Sequence, residues 1–264
     1  MKNTKVIVAT LFILLAVTLS VFTGCDQQKD VDYYPLGVGS YWEYSVLTYM
    51  DMGITKMNKE IFKVVGKERV GDLESYIVDR YTLEGRVPSV AQYREYLAKT
   101  GEGILCTKRA FPLLIQLQSI YPSIQSSIIH PKPEERFKTT LKENDKWRWE
   151  GTVTLVPMED VAPGETPEEA SAKPPKIQAV EGFMEYKYAG HETIHVMGKD
   201  MDCIKLEVFG KSDSGQEIES TIWYGPNIGK VREEQRFFEG SKSTKFIFEL
   251  INYNITHKEA FDKE

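Results

Sequence analysis

The amino-acid sequence predicts a mainly β protein built from antiparallel strands. β-Branched and aromatic residues recur in short runs that Gly, Asp, Asn and Ser separate, a composition typical of strands joined by tight turns. The run CIKLEVF alternates, so that Ile204, Leu206 and Val208 share one face of a strand while Lys205 and Glu207 share the other. One face of the predicted sheet is therefore core, and the other faces water.

The same strand pattern recurs along most of the chain. Turn residues bound each segment, as in PNIG at 226–229, where the chain must reverse direction before the next aliphatic run. The predicted strands are residues 41–50, 55–65, 73–83, 91–99, 104–109, 147–156, 178–188, 192–197, 201–209, 217–224, 229–238 and 244–255.

Two segments depart from the strand pattern. Residues 111–129 have apolar side chains at helical spacing, with Pro112 suited to a first turn and Pro122 placed where it would kink a helix. They predict one or two short helices, or an apolar loop that covers an end of the sheet. Such a segment either packs on the core or forms a lid over an apolar cavity. Residues 157–176 are Pro-rich and acidic, and predict an exposed, disordered insertion.

The first 25 residues have the three parts of a secretory signal. Lys2 and Lys5 precede an apolar run from Val6 to Phe22, and small residues then lead to a cysteine. The run is near the lower limit for spanning a bilayer, so an uncleaved N-terminal anchor is the alternative. The closing FTGC resembles the bacterial lipobox, with Phe22 where that pattern usually has Leu. This resemblance implies cleavage before Cys25.

Lipidation at Cys25 would attach the protein to a membrane. The lipobox resemblance implies a diacylglycerol group on the thiol and an acyl chain, such as palmitate, on the new amino terminus. One chain anchors a protein only marginally, whereas two or three chains hold it essentially permanently. The predicted location is the cell membrane or the outer membrane, facing the periplasm or the exterior. Asp26 resembles an inner-membrane retention signal that does not hold in all bacteria, so both membranes remain open.

Net charge excludes nucleic acid as a partner. The chain has 264 residues and a net charge of -6, and residues 1–24 contain two lysines and no acid. Their removal leaves 31 basic and 39 acidic residues, a net charge of -8. Binding to nucleic acid depends on basic groups that neutralise phosphates, which an acidic chain does not supply in excess. The remaining residues are numerous enough to bury a core as one β domain or as two.

Two cysteines are left if Cys25 is lipidated. Cys106 and Cys203 form an even pair in an exported, oxidising location, where a disulfide between them is one outcome. Two separate buried thiols are the other outcome, because a disulfide needs two Cα atoms within about 7 Å of each other.

Two stretches raise the question of an internal duplication. LGVGSYWEY (36–44) and LKENDKWRW (141–149) both place Trp six residues after Leu and an aromatic residue two positions later. YLAKTGEGIL (96–105) loosely echoes WYGPNIGKV (223–231). Short aromatic matches arise easily in β proteins, so one fold and two related β-meander units both remain open. The corresponding division is a signal peptide at 1–24, a tether at 25–34, a first β unit at 35–133 and a second at 134–264.

Three segments together resemble a loosely defined set of bacterial envelope lipoproteins of unknown function. They are YYPLGVGSYWEY (33–44), MDCIKLEV (201–208) and IWYGPNIGKVREE (222–234), which contain the patterns PLxxGxxWxY and WYxPxxGxV. The resemblance implies a curved antiparallel sheet, similar to the half-barrels of the lipoprotein carriers LolA and LolB. It implies no catalytic residue, because these motifs are structural.

The stretch HETIH, residues 191–195, matches the zinc-protease signature H-E-x-x-H. The signature works on a helix, where residues i and i+4 reach one zinc ion while the glutamate activates a bound water. Here Gly190 precedes the stretch and the turn GKD follows soon after it. Three β-branched residues also favour a strand: Thr193, Ile194 and Val196.

A strand would separate the parts of this signature. His191 and His195 would share a face but stand about 13 Å apart, and Glu192 would point to the opposite face. In the longer metzincin pattern the third ligand should fall at position 201, which is Met201. No metal site is therefore predicted, and a membrane-tethered zinc hydrolase that uses the two histidines, with Glu192 as base, is the alternative hypothesis.

The leading functional prediction is a non-enzymatic, lipid-anchored envelope protein without a cofactor. It would act as a binding or scaffolding module whose partner is an apolar ligand or another envelope protein. Trp42, Trp147 and Trp149 are predicted to anchor the core, with stacking on a ligand as the alternative. His130 and His257 have no evident partner in the sequence and receive no predicted role.

Overall fold

The described part of the chain consists almost entirely of β-strands, which confirms the mainly β prediction. The computed structural model describes residues 31–50, 53–84, 87–88, 91, 93–112, 127–155, 178–240 and 242–256. Its strands are β1 (Tyr41–Met50), β2 (Gly53–Val70), β3 (Leu73–Glu84), β4 (Val87–Pro88), β5 (Tyr93–Lys99), β6 (Gly103–Ala110), β7 (Ser127–Lys138), β8 (Lys146–Leu155), β9 (Gln178–Val196), β10 (Lys199–Ser212), β11 (Glu217–Gly225), β12 (Gly229–Glu239) and β13 (Lys242–Asn254).

These strands form one antiparallel sheet. Its order is β7-β6-β5-β3-β2-β1-β13-β12-β11-β10-β9-β8, with the short β4 beside β3. The centre joins the two ends of the described chain, because β1 pairs with β13, with Tyr41 opposite Asn254. The chain runs outward from β1 to the edge strand β7, and then returns from the other edge, β8, to the centre. The predicted boundary at residue 133 falls inside β7, and the duplication stays a prediction.

The two edge strands come together, so that the sheet is nearly closed. The indole N–H of Trp147 donates a hydrogen bond to the Glu135 carbonyl at 2.7 Å, and that of Trp149 donates to the Lys132 carbonyl at 2.8 Å. Two indole groups of β8 therefore satisfy backbone acceptors of β7 that would otherwise face an open edge. The predicted curvature of the sheet is confirmed.

Alternation along the strands separates the core from the outer surface. On β10, Ile204, Leu206 and Val208 are buried, whereas Lys205 and Glu207 are only half-buried. This is the two-residue period expected when one face of a strand packs inward. The predicted one-sided burial of this strand is confirmed.

Hydrogen bonds from β1 also bring two of the sequence motifs into contact. Trp42 of β1 donates its indole N–H to the Ile228 carbonyl at 2.5 Å, and the Tyr44 hydroxyl donates to the Lys230 carbonyl at 2.8 Å. The motif around Trp42 is therefore fastened to the turn between β11 and β12. Trp42, Trp147 and Trp149 are all buried, as predicted for core residues.

β9 is one strand where the sequence predicted two. Ala189 and Gly190 lie opposite the single residue Lys205 of β10, which is a β-bulge. Gly190 has a φ of 91°, in a region that other residues rarely adopt. Gly190, which lies between the two predicted strands, instead lets one strand continue through the bulge.

β7 was not predicted, because its sequence SIIHPKPEERFK contains two prolines. Pro131 and Pro133 cannot donate ladder hydrogen bonds, so an edge strand with a local break is the place where they fit. The register along β6 passes from Cys106 opposite Glu134 to Lys108 opposite Ile129. Residues 130–133 therefore leave the ladder, and β7 resumes at Glu134.

Several predictions fall wholly or partly outside the described residues. The signal peptide, Cys25 and the insertion at 157–176 lie outside them, as does most of the segment predicted as short helices at 111–129. The last part of that segment, from Ser127, is strand β7, which corrects the prediction there. Tyr33 and Tyr34, at the end of the predicted tether, pack against the core. Within the described ranges, no helix has the length and apolar character needed to cross a membrane.

We expect Gly103→Ala to destabilise the protein far more than Gly101→Ala. A Cβ at position 103 would lie 2.0 Å from the Phe137 carbonyl oxygen, whereas a Cβ at position 101 meets nothing within 4 Å. The first substitution must push β6 away from β7, at a cost of about 1–3 kcal/mol in the free energy of unfolding. Both variants remove a glycine from the unfolded chain, so that contribution cancels. Urea denaturation of the two variants measures the difference, and equal midpoints would contradict the close approach.

Candidate functional site

The concave side of the sheet encloses a cavity of about 600 Å³. Much of its wall is apolar and aromatic, with Phe62, Val78, Val208, Ile222 and Phe248 among the lining residues. These residues belong to β13 and to strands on both sides of the central β1–β13 pair, so the cavity exists only because the sheet curls around it. A cavity of this size matches the range of small-molecule sites in proteins.

The cavity reaches the surface beside the β10–β11 hairpin. Lys211 and Glu217 line it and form an ion pair of 2.6 Å, with side chains that are 48% and 36% exposed. Phe237 also lines the cavity and is 41% exposed. Glu134 also lines the cavity, and because its side chain is only 1% exposed it marks the deep end. The site is therefore a deep pocket with a polar and aromatic mouth.

A buried carboxylate lies at the deep end. Glu134 of β7 receives hydrogen bonds from Arg109 of β6, from Nε of Arg136 at 3.1 Å, and from the Tyr186 hydroxyl at 2.5 Å. Two guanidinium groups and a phenol from three strands thus converge on one carboxylate. Because Tyr186 stands on β9, the cluster connects the edge strand β7 across the interior with the strand next to the other edge.

Glu134 is ionised in spite of its burial. Burial raises the pKa of a carboxyl, but the charges of Arg109 and Arg136, together with hydrogen bonds from Tyr186 and Arg136, outweigh it and hold the pKa of Glu134 at about 2. Burial raises the pKa of the Tyr186 hydroxyl well above its ordinary value, and the charge of Glu134 adds to this. The phenol therefore keeps its proton and donates a hydrogen bond to the carboxylate.

Glu95 extends this network along the floor of the cavity. It accepts a charged hydrogen bond from Nη2 of Arg136 at 2.7 Å and a second one from the Tyr93 hydroxyl at 3.1 Å. Nε of Arg109 lies 3.8 Å from its carboxylate, too far for a hydrogen bond. In the part of the chain that the structure describes, this Nε is buried without a hydrogen-bond partner.

A second set of ion pairs includes three further residues of the cavity lining, Arg80, Lys230 and Glu233. Lys230 contacts Glu233 at 2.6 Å, and Glu233 also accepts a hydrogen bond from the Ser220 hydroxyl at 2.8 Å. Arg80 forms a two-pronged pair with Glu60 at 2.6 and 2.8 Å. The ammonium group of Lys230 also lies over three aromatic rings, those of Tyr44, Phe62 and Phe248.

The charges of these two sets balance. Among the described residues that form them, each basic group has an acidic partner, and the set consists of Arg80, Arg109, Arg136 and Lys230 with Glu60, Glu95, Glu134 and Glu233. The interior is thus rich in hydrogen-bond donors and acceptors but carries no excess charge from them. This property limits the kind of molecule that the cavity can hold.

The HETIH stretch lies in β9, so the predicted strand is confirmed and the helix that the zinc signature needs is absent there. His191 and His195 are exposed, and their Nδ1 atoms contact Asp202 at 3.1 Å and Asp200 at 2.8 Å. Glu192 instead contacts Lys205 at 2.8 Å and accepts a hydrogen bond from the Trp223 indole. Each histidine thus has a separate acidic neighbour on β10, and the glutamate is engaged elsewhere.

Met201, the residue at the position of a third metzincin ligand, is buried in the core. Its neighbours Asp200 and Asp202 are the residues that contact the two histidines across the β9–β10 pair. The local register of two antiparallel strands therefore accounts for the arrangement of His191 and His195.

Cys106 and Cys203 are both buried free thiols, so the disulfide is not formed. They stand on β6 and β10, and each thiol points to a carbonyl of its own strand, that of Lys108 at 3.8 Å and that of Met201 at 3.6 Å. Of the two predicted outcomes, separate buried thiols is the one observed.

The sequence predicts no functional role for the residues at the deep end of the cavity. Arg109, Glu134 and Arg136 are charged residues, a type that is usually exposed to solvent. The only local signal is the spacing of Glu134 and Arg136, which places them on the same face of a strand. That signal could be used only after β7 had been recognised as a strand.

No model of a known protein family and no curated protein matches the chain. Solved structures that are similar to it include a candidate lipoprotein from Parabacteroides distasonis ATCC 8503, with 14% identity and a TM-score of 0.43, covering 86% of this chain and 100% of that one. A candidate exported protein with a YmcC-like fold from Bacteroides fragilis NCTC 9343 has 12% identity and a TM-score of 0.36, covering 85% and 99%. The hypothetical lipoprotein YmcC from Escherichia coli K12 has 8% identity and a TM-score of 0.31, covering 84% and 90%.

Proposed function

We propose that this protein is a non-enzymatic envelope lipoprotein that binds one amphipathic molecule inside its curled sheet. The observation on which the proposal rests is the cavity of about 600 Å³, which combines an apolar wall with a hydrogen-bonding floor. Attachment through Cys25 would keep this binding module at a membrane, where amphipathic molecules are concentrated.

The balance of charges in the cavity favours a ligand without net charge. An ionic group that enters a buried site is costly unless a partner of opposite charge is free to pair with it. Here each basic side chain of the floor already has an acidic partner. Arg80 and Arg136 are nevertheless 35% and 23% exposed and line the cavity, so their remaining N–H groups can donate to hydroxyl or carbonyl oxygens.

The protonation states of the floor support binding rather than proton transfer. A general acid or base works best when its pKa lies near the ambient pH. The pKa of Glu134 is about 2, and burial raises the pKa values of Tyr93 and Tyr224 above the ordinary value for tyrosine. These groups hold their protons or their charge at neutral pH, so they are suited to orienting a ligand.

Charge selectivity can be tested with three ligands of equal alkyl chain length. Residues 26–264 are produced as an exported soluble protein and loaded with the neutral dye Nile red, and displacement is then measured with a monoacylglycerol, a fatty acid and an alkyltrimethylammonium. We expect the monoacylglycerol to bind at one site per chain, and the two ionic ligands to bind about tenfold more weakly. Tighter binding of either ionic ligand would contradict the proposal that the ligand has an uncharged head group.

We expect Ile218→Trp to weaken this binding by about tenfold. Ile218 lines the cavity on β11, so an indole in its place fills the entrance, whereas the neighbouring Glu219 is exposed on the other face. Glu219→Trp adds the same aromatic area outside and should leave the affinity within about twofold. Equal affinities of the two variants would mean that the dye binds outside the cavity. If no lipid binds at all, the protein is a scaffold without a ligand.

A further inference from the structure

Three side chains that can bind a metal ion meet beside the deep end of the cavity. The ligating atoms of Cys106, His130 and Glu134 lie within 4.8 Å of one another, and all three residues are buried. We propose that these three side chains form a zinc site. The inference rests on the geometry of these three side chains and not on the identity of the cavity ligand, although Glu134 also lines the cavity.

The irregular pairing of β6 with β7 creates this cluster. Cys106 of β6 lies directly opposite Glu134 of β7, so their side chains share one face of the sheet. Residues 130–133 leave the ladder between Ile129 and Glu134, and the two prolines in this segment favour the departure. The break places His130 in the interior, where its ring stands edge-on to Trp149 with 5.2 Å between the ring centroids.

The unpartnered imidazole is the observation that points to a ligand. His130 is only 4% exposed, and neither of its ring nitrogens has a hydrogen-bond partner within the residues that the structure describes. A buried polar group without a partner costs free energy, and such groups in native proteins usually mark an ion, a water molecule or a reactive site. A histidine binds a metal ion through a neutral ring nitrogen.

The other two side chains retain the capacity to coordinate. A carboxylate offers about four lone-pair positions, and three donors use those of Glu134, two at Oε2 and one at Oε1. One position at Oε1 is left for a metal. The thiol of Cys106 makes only a weak contact of 3.8 Å with a carbonyl, and it would lose its proton when it binds the ion.

Sulfur, nitrogen and oxygen together are the donor set of zinc rather than of calcium or magnesium. Tetrahedral zinc holds neighbouring ligand atoms about 3.5 Å apart, so the three side chains need to close by about 1 Å at most, through small rotations. The charges around the ion are mixed, with Arg109 and Arg136 opposing its binding and Glu95, Glu134 and the thiolate favouring it. Three protein ligands leave a fourth position for water or another donor.

Cobalt absorption and zinc content test this site. Residues 26–264 contain the whole compact unit from Tyr33 and lack Cys25, so only the two buried thiols are present. The protein is stripped with a chelator, dialysed against Zn²⁺ or Co²⁺, and measured by elemental analysis and by ultraviolet absorption. We expect one ion per chain and, with Co²⁺, the charge-transfer band of a cobalt thiolate.

Matched variants assign the ion to this cluster. We expect Cys106→Ser and His130→Asn to weaken zinc binding by at least about tenfold. Cys203→Ser and His195→Asn remove the other buried thiol and an exposed histidine, and they should bind zinc as the parent protein does. Circular dichroism establishes that each variant is folded. If a Cys106 or His130 variant does not fold, the cobalt-thiolate band of Cys203→Ser decides whether the site exists. In that variant Cys106 is the one remaining thiol, so only Cys106 can supply the band. Absence of that band, or zinc that Cys106→Ser retains, would overturn the site.

Discussion

Replacing Glu134 with glutamine is expected to lower the free energy of unfolding by about 3–5 kcal/mol. The glutamine side chain fills the same space but cannot offset the charges of Arg109 and Arg136, which both contact the carboxylate. Removing one partner of a buried ion pair costs much more than the pair contributes, because the remaining charge stays buried without compensation. The cluster also joins β6, β7 and β9, so its loss affects both edges of the sheet.

Denaturation in urea, with a chelator present, measures this effect. The control is Glu150→Gln, which removes a carboxylate that pairs with Arg148 on the outer surface and is 69% exposed. An exposed pair of this kind contributes at most about 1 kcal/mol. Equal losses in the two variants would show that the buried carboxylate has no special role.

The dependence on pH provides a second check at the same residue. The pKa of Glu134 is lowered to about 2 in the folded protein, against an ordinary value of 4.5. Its stabilising contribution is therefore complete above about pH 4.5 and disappears as the pH falls towards 2, where the folded state must also take up the proton. The difference between the parent protein and Glu134→Gln should shrink over that interval. A difference that stayed constant would contradict the assignment of the charge.

Replacing Trp149 with alanine should also lower the free energy of unfolding by about 3–5 kcal/mol. The indole is 2% exposed, packs edge-on against His130, and donates a hydrogen bond to the Lys132 carbonyl across the seam between β8 and β7. Truncation leaves a cavity and removes one of the two indole contacts that hold the edges of the sheet together. Trp149→Phe keeps most of the apolar area and loses the hydrogen bond, at a cost of about 1 kcal/mol.

Hydrogen exchange of the β7 amides, together with denaturation, tests whether the Trp149 indole holds β8 against β7 or is only an ordinary core contact. We expect Trp149→Ala to accelerate exchange along β7, while the neighbouring outer-face variant Arg148→Ala leaves it unchanged. If both variants exchange alike, the seam is held by contacts other than the indole.

Gly151 provides a related constraint, because a Cβ there would lie 2.4 Å from the Trp149 ring. The glycine leaves the space that the indole occupies.

The strands were predictable where the pattern was local. In β10 the alternation of Ile204, Leu206 and Val208 with charged residues is visible in seven consecutive positions, and the structure has that strand. β7 was missed because Pro131 and Pro133 normally argue against a strand, and only its place at an edge beside β6 makes them acceptable. The bulge at Gly190 is not predicted for a similar reason. A glycine in the sequence does not show whether a neighbouring strand pairs with the residues around it.

The charged floor of the cavity could not be predicted from the same patterns. Arg109, Glu134 and Arg136 are residue types that usually face water. Nothing near them in the sequence indicates which residues they pair with. Cys106 and His130 are 24 positions apart in the sequence and meet only because β6 and β7 pair with a break in the ladder. Long-range pairing therefore decides which charges are buried together.

The sequence by itself determined the strand-rich composition, the lipobox resemblance at Cys25, and the strand at HETIH that keeps Glu192 away from its two histidines. These properties depend on the two-residue period and on side-chain type, which are local. Only the tertiary structure decided that the sheet closes, that Glu134 pairs inside it with two arginines, and that an apolar space remains beside them. Closure depends on β1 meeting β13 and on β8 meeting β7, contacts between residues far apart in the chain that no short stretch encodes.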